Sequence, residues 1–274
     1  MLTFPNAKIN IGLYITGKRN DGYHNLETVF YPVPFRDALE LIDAADSASS
    51  LSLSGLAVAG DRESNLVWRA YNLLQTAFPK LVKPLQIRLH KIIPMGAGMG
   101  GGSADAAFML NMLNEYFRLG LDDDTLESYA LQLGSDCPFF IRNRPAFAAG
   151  RGELLEPLAL DLSGYNIQLV CPLLHVSTAL AFSGVKPAPA PFDLRRIDTL
   201  SPEEWKAHIR NDFEDTVMAQ YPVLRDIKEQ LYQQGAVYAS MSGSGSSLYG
   251  IFSQGSKATI HSTVPFTTFC SRPD

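Results

Sequence analysis

The chain has 274 residues, of which 46% are hydrophobic and 19% are charged, so it holds enough apolar material for a packed core. Its formal net charge is −5 at pH 7 and it contains no long basic run, which argues against binding along a nucleic acid backbone. The length predicts one large domain or two modest ones.

The cysteines and the N-terminal residues indicate the cellular compartment in which the protein is expected. Cys137, Cys171 and Cys270 lie far apart without a C-x-x-C pair, which fits neither a disulfide framework nor a structural zinc site. The first ten residues lack the charged start and the apolar block of a signal peptide, and no apolar stretch approaches the length of about 20 residues that spans a bilayer. We therefore expect a cytoplasmic protein with neither nucleic acid nor membrane partners.

The predicted elements mix strands and helices. Alternating apolar and polar residues predict a half-buried strand over residues 8–14, with Lys8 and Asn10 on its polar face. A polar turn and a second extended run over 24–33 are typical of a β-hairpin. The remaining predictions are strands at 85–91, 145–149, 165–171 and 248–252, and helices at 65–78, 104–117, 125–133, 202–210 and 212–234. Without regular βαβ alternation, this order favours an α+β fold that divides near residues 150–160.

Glycine is concentrated in two short segments. Residues 94–104 hold five of the 21 glycines, and residues 240–250 hold three more. The first segment lies between a predicted strand and a predicted helix, where glycine N–H groups and the positive end of a helix dipole can bind phosphate. The second segment, with Gly243 and Gly245, fits either a close approach of backbone to an active-site cleft or a tight turn.

Known phosphate-loop systems do not account for the first glycine segment. Gly96, Gly98 and Gly101 match G-x-G-x-x-G, but the acidic residues at the expected distance for a dinucleotide site, 122–124, begin a predicted helix. The G-K-[ST] end of a Walker loop is absent, and so are the companion motifs of protein kinases. The segment therefore predicts phosphate binding outside these three systems.

Three motifs together resemble the GHMP-type small-molecule kinases. They are PNAKINIGL at 5–13, PMGAGMGGGSADAA at 94–107 and MSGSGSSLYG at 241–250, and they span almost the whole chain in the family's order. The resemblance implies a two-domain α+β fold with its active site in the cleft between the domains. Residues 1–152 would form an N-terminal nucleotide domain like domain 2 of ribosomal protein S5, and residues 153–274 a C-terminal ferredoxin-like α/β plait.

Further segments resemble one branch of that family. They are KRNDGYHNLETVF at 18–30, LGSDCPFF at 133–140 and AFAAGRGELLEPL at 146–158. The branch implies ATP-dependent phosphorylation of a hydroxyl on a cytidine-diphosphate sugar alcohol in the non-mevalonate isoprenoid pathway, with Mg²⁺ delivered on ATP. GHMP kinases of homoserine, a sugar or mevalonate remain alternatives, as does a nucleotide-binding regulator without catalysis.

The resemblance assigns catalysis to Asp136 and Lys8. A carboxylate is needed to accept the proton of the acceptor hydroxyl, and a cation keeps that carboxylate ionised and binds developing phosphoryl charge. The residue patterns alone favour a turn or helix cap for Asp136 and an exposed strand position for Lys8, and the resemblance reverses that preference.

For ATP the resemblance implies the first glycine segment and two residues before it. Lys91 lies three positions before Pro94, and Asn65 stands at a predicted helix start, where a capping role is equally favoured. Ser103 offers a hydroxyl to phosphate or metal, whereas Ala104 replaces a second serine that is common in the family. The expected ATP-binding set is Asn65, Lys91, Pro94, Met95, Gly96, Ala97, Gly98, Met99, Gly100, Gly101, Gly102, Ser103 and Ala104.

Tyr23 and His24 are the candidates for recognition of cytosine, although both also fit an ordinary hairpin. A cytosine ring is flat and has hydrogen-bonding edges, so its pocket needs an aromatic stacking partner and a polar group at the edge. In the resembled branch this pair supplies both, joined by an aromatic that falls at Phe182. Thr178 and Asn10 complete the substrate-binding residues that the resemblance implies.

Overall fold

The computed structural model describes residues 1–44 and 48–271. The chain divides into two compact units, of which the first comprises Met1–Ala7, Pro34–Met95 and Gly100–Arg144, and the second Lys8–Val33, Gly96–Met99 and Pro145–Asp274. Within the described residues no helix combines the length and the apolar character needed to cross a membrane. The domain boundary predicted between residues 152 and 153 stays a prediction.

The first unit is built on one mixed sheet. Its strands are β1 (Leu2–Thr3), β4 (Ala38–Asp43), β5 (Ser50–Gly55) and β6 (Leu85–Lys91). They are ordered β1-β4-β6-β5, and β6 pairs antiparallel with β4 but parallel with β5. The strand predicted over 85–91 is confirmed by β6. Its apolar residues are buried and alternate with more exposed polar ones, as expected for a strand.

The helices of the first unit begin at recognisable capping residues. They are α1 (Leu66–Ala77), α2 (Gly101–Tyr116), α3 (Asp123–Leu131) and α4 (Cys137–Arg142). Asn65 caps α1, since its side chain accepts the N–H of Val67 at 2.9 Å. Helix α2 begins at Gly101 rather than at residue 104, because Gly100 adopts a left-handed φ of 68° and serves as its N-cap.

The second unit contains two further sheets, each of four strands among the residues described. Strands β2 (Asn6–Lys18), β3 (His24–Arg36), β7 (Ala146–Gly150) and β8 (Leu154–Pro157) are ordered β2-β3-β7-β8, the ends of β2 and β3 belonging to the first unit. Strands β9 (Tyr165–Pro172), β10 (Tyr238–Met241), β11 (Leu248–Ser253) and β12 (Phe266–Ser271) are ordered β10-β11-β9-β12, with antiparallel pairs throughout.

The helices of the second unit are shorter than the sequence predicted. They are α5 (Thr178–Ser183), α6 (Trp205–His208), α7 (Glu214–Gln220) and α8 (Pro222–Gln233), with a 3-10 helix at Leu194–Thr199. The prediction of one helix over 212–234 is wrong. Tyr221 leaves helical geometry at φ −126° and ψ 78°, because the following Pro222 disfavours a helical residue before it.

The core of the second unit includes the apolar face of α8. Leu224, Ile227 and Leu231 follow helical spacing and are fully buried. They belong to the same buried cluster as Leu248 and Phe252 of β11. This packing supports the sheet that carries the second glycine segment.

Strand β2 is covered on both faces, so the prediction of a half-buried strand is wrong. Every residue from Asn6 to Ile15 is buried. Lys8 is only 3% exposed, which excludes the exposed position that the pattern favoured. A buried ammonium is costly unless it is paired and hydrogen-bonded, so the partners of Lys8 must be structurally defined.

Candidate active site

The first glycine segment leads into a helix whose N-terminus carries no capping side chain. Gly100, the N-cap of α2, makes no side-chain cap hydrogen bond, and the first turn of α2 contains no acidic residue. The first N–H groups of an α-helix have no intrahelical acceptors, and the helix dipole makes that end positive. This helix start is therefore suited to an anion such as phosphate.

A pocket lies beside the start of α2 in the first unit. Its lining includes Asn65, Lys91, Met95 and Gly102, four of the residues predicted to bind ATP. The structure thus brings these four together.

The ammonium of Lys91 is held by two carboxylates beside this pocket. Lys91 is 1% exposed, and its Nζ donates to Asp37 and, at 2.7 Å, to Oδ2 of Asp105. The other oxygen of Asp37 accepts the N–H groups of Ile92 at 2.6 Å and Ile93 at 2.9 Å. This cluster fixes the end of β6 to α2, so the charge of Lys91 has a structural function.

Asp105 carries the unusual protonation equilibrium of this cluster. Its Oδ1 is buried without a hydrogen-bond partner in the structure. Burial raises the pKa of Asp105 to about 7, the nearby charge of Asp37 raises it too, and the ammonium of Lys91 opposes both. Burial therefore favours the protonated form of this carboxyl.

The second glycine segment packs against the first. Ser242 Oγ donates to the carbonyl of Gly98 at 2.8 Å and accepts the N–H of Asn10 at 3.1 Å. A Cβ on Gly98 would lie 1.9 Å from the carbonyl oxygen of Ser242, so only glycine permits this approach. The segment forms a tight turn, since the N–H of Gly245 donates to the carbonyl of Ser242 at 3.0 Å, and its backbone also lies close to Gly98. An approach of Gly243 and Gly245 to an active-site cleft stays a prediction.

Lys8 is held by neighbours within the second unit. Its backbone N–H donates to the carbonyl of Met99 at 3.0 Å, and its Nζ donates to Oδ1 of Asn10 at 2.5 Å. The Nζ also lies 4.7 Å from the ring centroid of Phe30, a cation–π contact. The structure thus brings Lys8 together with Asn10 and with the first glycine segment.

Asp136 precedes α4 without capping it. It occupies the N-cap position of α4, but its side chain makes no capping hydrogen bond. The turn is closed by backbone instead, since the N–H of Cys137 donates to the carbonyl of Gly134 at 3.1 Å. The helix-capping alternative for this carboxylate is therefore not supported, and its catalytic role stays a prediction.

The aromatic residues predicted for cytosine lie in the second unit, and the structure brings His24 and Phe182 together. The rings of His24 and Phe182 stack at a centroid distance of 4.6 Å and an angle of 21°. Tyr23 is 57% exposed, and the guanidinium of Arg151 lies 5.1 Å from its ring centroid. Thr178 is exposed at the start of α5. Arg151 was not predicted.

The sequence analysis also did not identify four buried polar residues that hydrogen-bond to the predicted residues Asn10 and Lys91. They are Thr28, Asp37, Asp105 and Ser242. Asp105 had a signal in the sequence, because it interrupts the otherwise apolar run 104–110. A polar residue that folds into such a run needs a buried partner.

Two family models match the chain. The GHMP kinases N terminal domain matches residues 65–144, and the GHMP kinases C terminal model matches residues 194–266. The first match contains α1, β6, the glycine-rich start of α2 and Asp136, and the second contains the second glycine segment.

Individual relatives extend this similarity over nearly the whole chain. The 4-diphosphocytidyl-2-C-methyl-D-erythritol kinase of Bacteroides fragilis is 54% identical over 261 residues, which cover 94% of each chain. A crystal structure of 4-(cytidine 5'-diphospho)-2C-methyl-D-erythritol kinase matches with a TM-score of 0.76 and 32% identity, over 92% of this chain and 90% of that one. Methanococcus jannaschii mevalonate kinase has a TM-score of 0.71 but 10% identity over 98% and 97%, a likeness of fold alone.

The pKa of Asp105 predicts a pH-dependent stability. A carboxyl whose pKa is raised on folding stabilises the native state while it is protonated, and that contribution is lost as the pH rises through about 7. Between pH 6 and pH 8 we expect the free energy of unfolding of the wild type to fall by roughly 1 kcal/mol more than that of Asp105→Asn. Urea unfolding at both pH values measures this difference.

Asp226→Asn, at an exposed position of α8, is the matched control and should keep the pH dependence of the wild type. Identical pH dependence in the wild type and Asp105→Asn would show that Asp105 does not titrate in this range.

Proposed function

The chain belongs to the GHMP kinase family, and we propose that it is an ATP-dependent kinase that phosphorylates the 2-hydroxyl of 4-diphosphocytidyl-2-C-methyl-D-erythritol. The observation that carries the proposal is the near full-length likeness to relatives of that name. The predicted α+β GHMP kinase fold is confirmed by the two family models. The homoserine, sugar and mevalonate alternatives are not favoured, since the likeness to mevalonate kinase extends only to the fold.

ATP use follows from membership of the family, and the first unit offers groups that fit it. We assign the pocket beside Asn65 and Lys91 to the nucleoside, and the uncapped start of α2 to its phosphates. Ser103, in the first turn of α2, is the side-chain oxygen assigned to phosphate or metal. Mg²⁺ bound to ATP would supply positive charge that offsets the charge of the phosphates.

The transfer needs a proton acceptor and a fixed positive charge. We assign the first function to Asp136, which takes the proton of the 2-hydroxyl as that oxygen bonds to the γ-phosphorus and the bond to ADP breaks. We assign the second to Lys8, whose ammonium stabilises negative charge on the transferred group. The support for Lys8 is its burial and its fixed geometry, and for Asp136 it is a carboxylate that is not engaged in capping.

The cytidine half of the substrate is assigned to the predicted aromatic residues. Tyr23 offers an exposed ring, and the stacked pair of His24 and Phe182 offers a second aromatic surface with a polar edge. Thr178 and Asn10 complete the substrate contacts. Both substrates are small metabolites, so we place the reaction in the cytoplasm.

A substrate panel tests the function. The purified protein is given Mg²⁺–ATP and, in parallel, the cytidyl substrate, homoserine, galactose or mevalonate, and release of ADP is followed. We expect turnover with the cytidyl substrate and a phosphate monoester at its 2-position by ³¹P NMR. Faster turnover of another alcohol would support a different GHMP kinase, and no ADP release with any acceptor would support a non-catalytic regulator.

The catalytic assignment predicts selective loss of turnover. Lys8→Met and Asp136→Asn should each lower kcat at least ~100-fold, because one removes the fixed charge and the other the proton acceptor. Steady-state kinetics with the cytidyl substrate measure the effect, and thermal melts show that the variants fold. Lys18→Met on β2 and Asp198→Asn, both at exposed positions, should turn over as the wild type does. Near-normal kcat in either active-site variant would remove that residue from the mechanism.

The cytosine assignment predicts loss of affinity for cytidine diphosphate. Tyr23→Ala and His24→Ala should each weaken binding about tenfold or more, since stacking on an aromatic ring contributes roughly 1–3 kcal/mol per base. Tyr23→Phe keeps the ring and should bind as the wild type does. Calorimetry measures the affinities, with His261→Ala at an exposed position as the control. Unchanged affinity in both alanine variants would place the cytidine elsewhere.

A further inference from the structure

Thr28 lies on β3 with its side chain fully buried against Asn10. Its Oγ1 is 2.5 Å from the carbonyl oxygen of Gly12 and 3.1 Å from Nδ2 of Asn10. A hydroxyl has one proton, and a carbonyl oxygen can only accept. The proton of Thr28 therefore goes to Gly12, and Thr28 must accept from Asn10.

This acceptor gives the amide of Asn10 a single orientation. The oxygen and nitrogen of an amide have similar size, so hydrogen-bond partners decide which one points where. With Nδ2 directed at Thr28, Oδ1 faces the ammonium of Lys8 at 2.5 Å. The flipped amide would place N–H donors against that ammonium, which is itself only a donor.

The same face of β3 makes a second contact with Lys8. Residues two positions apart in a strand point to one side, so Thr28 and Phe30 share a face. The ring of Phe30 lies 4.7 Å from Nζ of Lys8. The ring of Phe30 and the amide oxygen of Asn10 both restrict the long side chain of Lys8.

We infer that Thr28 is a positioning residue for Lys8: by fixing the amide of Asn10, its hydroxyl directs the lysine ammonium. The inference rests on the proposed function, in which that ammonium stabilises the transferred phosphoryl group. A displacement of about 1 Å in such a group can cost ~100-fold in rate. Valine would satisfy the packing and strand preference of this position, so the hydroxyl needs its own explanation.

Two substitutions separate the hydroxyl from the shape of the side chain. Thr28→Val keeps the branched shape and removes the acceptor, and it should lower kcat at least ~10-fold while the KM for ATP stays near that of the wild type. Thr28→Ser keeps the hydroxyl and should restore most of the turnover. Steady-state kinetics measure both variants.

A double-mutant cycle tests whether the effect passes through Asn10. In an Asn10→Leu background, Thr28→Val should cause no further loss of kcat, because the amide that it orients is gone. The control is Val29→Ala, a fully buried neighbour on the other face of β3, which loses stability but should keep the kcat of the wild type. Independent losses in the double variant would overturn the inference, as would a normal kcat in Thr28→Val or an equal loss in Thr28→Ser.

A readout without activity distinguishes this inference from the proposed function. Crystal structures of the wild type and Thr28→Val should show the hydrogen bond between Lys8 and Asn10 in the first and its loss in the second. Unchanged geometry in Thr28→Val would refute the role of Thr28 even if the wild type is an active kinase. Loss of the bond in Thr28→Val, together with a wild type that phosphorylates no cytidyl substrate, would refute the proposed function alone.

Discussion

The backbone of Gly98 lies directly against Ser242, and the polar interior of the second unit is organised around this approach. The hydroxyl of Ser242 joins two segments that are far apart in sequence, because it donates to Gly98 and accepts from the backbone of Asn10. Lys8 completes the connection through its backbone bond to Met99. A side chain at Gly98 would force these segments apart, so this contact itself requires glycine.

Two buried lysines illustrate how partners decide what a charge does. Lys91 is held by two carboxylates, and such a neutralised cluster fixes β6 to α2. The amide of Asn10 and the ring of Phe30 are among the groups that orient the ammonium of Lys8. Both lysines looked alike in the sequence, since each lies on a strand near a predicted site. The two carboxylates assign the charge of Lys91 to structure, and our proposal assigns that of Lys8 to catalysis.

Local patterns predicted the elements, but the partners of buried polar groups could not be read from them. The alternation in β6 and the cap at Asn65 are encoded within a few residues, and the structure confirms both. The burial of β2 is not encoded within a few residues, because distant parts of the chain cover its second face. Leu13 forms a β-bridge with Asn211, and the hydroxyl of Tyr249 donates to the carbonyl of Asn10. The break before Pro222 is different, since the proline itself was a sufficient signal.

The affinity of Ser242→Ala for ATP, measured by calorimetry, is the most direct test that the second glycine segment positions the first. This change removes one hydroxyl and leaves the backbone of both segments intact. If that hydroxyl holds residues 96–99 in place for phosphate, the dissociation constant should rise about tenfold, equivalent to roughly 1.4 kcal/mol. An affinity equal to that of the wild type, in a variant that melts at the same temperature, would contradict the account.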